Sequence, residues 1–168
     1  CLHGPVPWLV SYGYMDVAKS IINFPMGTPR GLSLMAMNRK SWDSLSVAQK
    51  KVMFKHLPGA SARATVIGYM AADIEILAQA KKRGITIVPG GPEIGVLMAA
   101  HKKSELTAIP KGLKKVKVKE ATAKRIMAAF IKNLKKWEGL AATAGGDVGK
   151  VAALFKSQIY DRLDPAKY

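Results

Sequence analysis

The side chains with chemistry to offer here are three histidines, one cysteine and a large excess of lysine, and their spacing limits what that chemistry is. His3, His56 and His101 lie far apart in the chain. No His-Glu-x-x-His pattern, Gly-x-Ser-x-Gly elbow or pair of acids on one helical face accompanies them. Each histidine therefore reads as a surface or loop residue, and the chain is not expected to be an enzyme or to hold a metal or cofactor. Cys1 is the single cysteine, which rules out an internal disulfide, and it has no Cys or His neighbour at zinc-site spacing. Two glycine-rich pieces, Gly27 to Gly31 and Gly90 to Gly95, follow apolar runs where phosphate loops often sit. The first lacks a Gly-Lys-Ser/Thr ending and the second lacks Gly-x-Gly-x-x-Gly spacing, so both read as turns.

The charge is more telling. A net +16 from 27 basic and 11 acidic residues calls for an anionic partner. The excess is concentrated from Lys102 to Lys136, where twelve Lys or Arg face only Glu105 and Glu120. Neutralisation of phosphates by lysine and arginine supplies much of the affinity of proteins for nucleic acid. Phe130 and Trp137, however, fall on the apolar side of their helix, as core residues rather than base-stacking platforms. The stretch therefore reads as a solvated basic face, no nucleic acid is expected as a partner, and a small basic nucleic-acid-binding protein stands as the alternative. Arg30 is the one charged residue in the turn from Pro25 to Gly31, where its planar guanidinium suits a carboxylate. Met26 shares that turn, where core packing explains it less well than it does the other methionines.

The chain has 168 residues, 49% of them apolar, enough for a sizeable core. Its elements follow from periodicity. Trp8, Leu9, Tyr12 and Met15 predict a short helix ending near Lys19, and Ile21 to Phe24 and Leu32 to Met37 predict two strands. Asn38 should cap a short helical turn carrying Trp42 and Leu45. Ser46 and Gln49 form a capping-box pattern that opens a long helix. Along it Met53, Leu57, Ala60, Ala64, Ile67, Ala71, Ile74 and Ala78 predict one continuous buried stripe. Pro58 should kink or divide that helix, and Gly84 should end it. Ile85 to Val88 predicts a further strand, and Pro92 starts a helix to about Lys103. A basic connection from Ser104 to Lys117 then leads to an amphipathic helix around Ile126, Phe130, Asn133 or Leu134, and Trp137. A last helix is capped by Asp147 and ends before Pro165.

Several stretches resemble, in order, the second lobe of TRAP-type solute receptors, the DctP-like family. They are Tyr14-Met15-Asp16-Val17-Ala18-Lys19, Met37-Asn38-Arg39-Lys40-Ser41-Trp42-Asp43-Ser44-Leu45-Ser46, Lys82-Arg83-Gly84-Ile85-Thr86-Ile87-Val88 and Gln158-Ile159-Tyr160-Asp161-Arg162-Leu163-Asp164-Pro165. The most specific piece is the Asn-x-x-x-Trp-Asp-x-Leu block from Asn38 to Leu45. The resemblance implies an α/β lobe of a two-lobed, periplasmic-binding-protein-like fold of type II, its sheet flanked by helices. Residues 1–168 would form the C-terminal lobe and closing helices. The N-terminal lobe, with the arginine that clamps the solute carboxylate, would lie outside this sequence. The implied function is that of a periplasmic receptor which closes on a small organic acid and delivers it to a small and a large membrane subunit. The implied contacts come from His3, Gly4, Pro5 and Trp8 in one loop and from Phe24, Met26, Gly27 and Arg30 in a second.

Overall fold

A computed structural model of the chain describes residues 2–26 and 35–167. They are mostly helical, with one small parallel sheet flanked by helices, and they divide into two units. The first unit holds residues 2–19, 35–85 and 141–167, and the second holds residues 20–26 and 86–140.

In the first unit, α1 (Trp8–Ser11) is only one turn long. The single helix expected up to Lys19 is broken at Gly13, whose φ of 68° is left-handed backbone, and a 3-10 turn at Tyr14–Asp16 follows. Local capping works as the sequence predicts. The Asn38 side chain accepts the Lys40 amide at 2.9 Å and starts α2 (Arg39–Asp43). Ser46 and Gln49 complete a reciprocal capping box at the start of α3 (Val47–Thr65). Asp147 accepts the Lys150 amide at 2.8 Å to start α7 (Val148–Gln158). The long helix ends in a Schellman turn. Gly84, at φ 79°, donates to Lys81, and the buried Ile85 donates back to Ala80 at 3.0 Å.

The interior of that long helix departs from the expected stripe. Helix α3 continues through Pro58 without division, and the ladder changes only at Val66–Ala71, where six residues adopt π winding before α4 (Ala72–Lys82). Pro58, Ala62 and Val66 are all buried and four apart, and α3 packs against α7. Met53, Leu57 and Ala64 are only half-buried, and Ile74, at 76% exposure, faces solvent. The wider π turn inserts a residue into the period, so one stripe cannot stay on one face across it.

In the second unit, β1 (Ser20–Asn23) pairs in parallel with β2 (Thr86–Pro89), in register from Ser20 opposite Thr86 to Asn23 opposite Pro89. Both strands lie one residue away from the expected spans. Ile21 and Ile87 are half-buried, whereas Ile22 and Val88, on the opposite side of the pleat, are exposed. Parallel sheets normally have both faces covered, and here one is open. The other expected strand, Leu32 to Met37, lies outside the described residues up to Leu34, and Met35–Met37 are not in a strand. Pro92 occupies the first turn of α5 (Pro92–Gly112), which passes through a fully buried Pro110 and continues as a 3-10 turn at Leu113–Val116. The basic connection expected from Ser104 is therefore helical to Gly112. Leu106 and Ile109 carry the helical spacing through the lysines. Helix α6 (Glu120–Ala144) follows.

The core is made of small side chains. Among the described residues the buried apolar set is Met15, Ala62, Val66, Ala80, Ile85, Ala123 and Ala144. Alanine removes little surface from water, so these positions contribute little to stability. Val96, Leu97, Ile126 and Phe130 are among the large apolar side chains that stay exposed.

Candidate functional site

The loop preceding α1 is built around a close approach between Gly4 and Trp8. The Trp8 amide donates to the Pro5 carbonyl at 3.0 Å, which turns the chain back on itself and lays the indole over Gly4. A Cβ at position 4 would stand 2.5 Å from that ring, so only glycine fits. Trp8 meets Tyr12 edge-on at 5.1 Å, and Tyr12 stacks on Tyr14 at 5.8 Å. Three rings thus form a row. Pro5 and Trp8 are half-buried and His3 and Gly4 are exposed. Tyr12 and Tyr14 were not among the expected site residues. The four-residue spacing of Trp8 and Tyr12 was the available signal, but it reads equally well as a core-facing stripe, and Tyr12 is in fact exposed.

The second expected loop begins in the other unit. Phe24 follows β1, and its half-buried ring covers Gly90 so closely that a Cβ there would overlap it. Phe24 is therefore a packing residue for the turn after β2. Met26 is exposed. Gly27 and Arg30 lie outside the described residues.

A further concave surface lies in the first unit. An open groove of about 460 Å³ runs between α3 and the 3-10 turn at Tyr160–Arg162, lined by Lys51, Phe54, Lys55, Lys156, Tyr160 and Asp161. Asp161 neutralises Lys156, with contacts at 2.6 and 2.8 Å. Lys51 and Lys55, one turn apart on α3, have no carboxylate partner among the described residues, which leaves two cations beside the Phe54 and Tyr160 rings. Sequence reasoning passed over this place because it joins segments about a hundred residues apart.

Among the described residues no three His, Cys, Asp or Glu side chains come together as metal ligands. Asp73, near the start of α4, is a perturbed acid. Burial raises its carboxyl above the ordinary carboxylate range, and its Oδ1 is buried without a hydrogen-bond partner. The basic helix departs from expectation as well. Trp137 is half-buried as foreseen, but Phe130 is 64% exposed. No helix among the described residues is long and apolar enough to cross a membrane. No family model, curated protein or solved structure matches this chain.

Proposed function

We propose that the chain is the C-terminal lobe of a periplasmic, TRAP-type receptor for a small organic acid, which it passes to small and large membrane subunits. The observation that carries the reading is the Trp8, Tyr12 and Tyr14 row beside the His3-Gly4-Pro5 loop. Such a row supplies rigid apolar contact for the body of a solute at low ordering cost. The row brings no cation of its own, and in the type II arrangement the carboxylate is clamped by an arginine of the other lobe. The +16 charge raises the rate at which an anion arrives. The exposed face of the β1 and β2 pair, which has no further strand among the described residues, suits a lobe of a larger fold. Recognition followed by closure needs no catalytic set.

Thermal denaturation against a panel of aliphatic, branched and aromatic acids tests this. A half-site affinity on the order of 1 mM, with ligand at about 10 mM, stabilises by roughly 1.4 kcal/mol. That corresponds to a rise in Tm of roughly 3 to 6 °C for a chain of this size. The rise should disappear in Trp8→Ala. A panel in which no acid shifts the melting of the wild-type chain overturns the proposal.

A further inference from the structure

Helix α6 presents an apolar strip that nothing among the described residues covers. Ile126 is 57% exposed, Phe130 64% and Leu134 47%. At about 100° per residue these three fall within an arc of roughly 80°. The adjoining arc carries Arg125, Lys132 and Lys136, with Lys135 farther round. Lys124, on the far side, is paired with Glu120 at 2.9 Å. Ala123, on the same arc one turn before Ile126, is buried, and Met127 and Ile131, about 20° to 60° beyond Leu134, are half-buried, so the strip is exposed along its length from Ile126 to Leu134.

We propose that this strip of α6 docks in the plane of an anionic lipid bilayer, with Phe130 inserted below the headgroups and the neighbouring lysines on the lipid phosphates. Three observations select this occupant. The flanks are strongly basic, which complements an anionic surface and repels a second copy of a +16 chain. The apolar strip is aliphatic on both sides of its one ring. Isoleucine and leucine cannot stack on bases, whereas they partition readily into the acyl boundary. The lysine stems beside the strip are long enough to lie along the apolar surface in an interfacial pose while their heads reach the phosphates.

Co-sedimentation with vesicles of 3:1 phosphatidylcholine to phosphatidylglycerol, compared with pure phosphatidylcholine, tests the proposal. Binding is expected to the anionic vesicles only. Each neutralised lysine should weaken it about fivefold, so changing Lys132, Lys135 and Lys136 together to Gln should weaken it about a hundredfold. Phe130→Ser should weaken it roughly tenfold, with the helical circular dichroism signal retained. Phe130→Trp should give fluorescence beyond the wild-type signal that brominated lipid quenches. The proposal is overturned by failure to bind anionic vesicles, or by binding that ignores Phe130→Ser. Phe130-dependent binding to single-stranded DNA in place of vesicles, or a dimer dissociated by Phe130→Ser, overturns it equally, in favour of those partners.

Discussion

The Trp42 indole stacks on the Phe54 ring at a centroid distance of 6.0 Å, and Phe54 meets Tyr160 edge-on at 5.6 Å. This contact ties the short helix α2, the long helix α3 and the C-terminal 3-10 turn into one aromatic cluster. The Lys50 ammonium lies 5.3 Å from the centre of the indole. The cluster gives both Trp42 and Tyr160 a packing role.

Truncation of Trp42 should therefore act on stability. Because the indole is half-buried, Trp42→Ala is expected to cost about 2 kcal/mol, below the range for fully buried aromatics. Urea denaturation measures the loss. A double-mutant cycle with Phe54→Ala should show a coupling of roughly 0.5 to 1.5 kcal/mol. A coupling of zero would show that the stacking contributes nothing.

The overlap between Phe24 and the space beside Gly90 yields a prediction with its own rescue. Gly90→Ala should destabilise by about 1 to 3 kcal/mol, because the new methyl group meets the ring and the second unit has to adjust. In a Phe24→Ala background the same substitution should cost almost nothing. Equal costs in both backgrounds would mean that Gly90 is constrained by something other than Phe24.

Asp73 makes stability depend on pH. Its folded pKa is raised by burial, so the folded chain holds a proton that the unfolded chain has already released. The stability linked to that proton is complete below the unfolded pKa and is lost as pH rises through the folded one. Asp73→Asn should raise Tm at neutral pH and leave it nearly unchanged at about pH 3, where the native carboxyl is protonated in both states. A gain of the same size at both pH values would show that charge burial is not the cause.

Lys117 lies between the 3-10 turn at Leu113–Val116 and α6 with φ at 61°, left-handed backbone that glycine adopts more readily. The Val118 amide donates to Leu113 at 3.2 Å and closes the turn. Lys117→Gly is expected to stabilise by about 1 kcal/mol, and Lys117→Val to destabilise by at least as much. Thermal melts of the two variants should move in opposite directions. Movement in the same direction would contradict the strain.

What the sequence determined by itself is what a few neighbouring residues settle among themselves. Ser46 with Gln49, Asn38, Asp147 and the Gly84 turn all formed as read, because a cap is a contact between a side chain and amides two or three residues away. The alternation in β1 and β2 was legible to within one residue for the same reason. Which face of a helix is buried was not local. The stripe from Met53 to Ala78 assumed one unbroken period, whereas tertiary packing buried Pro58, Ala62 and Val66, and the π segment at Val66–Ala71 reset the phase beyond them. Phe130 shows the same limit from the other side. Its spacing puts it on the same face as the buried Ala123 seven residues earlier, so only what packs at each level along α6 decides that Ala123 is buried and Phe130 is exposed. The lysine groove beside Phe54 and Tyr160 arises likewise only when residues about a hundred positions apart meet, because spacing along a chain carries no distance across it.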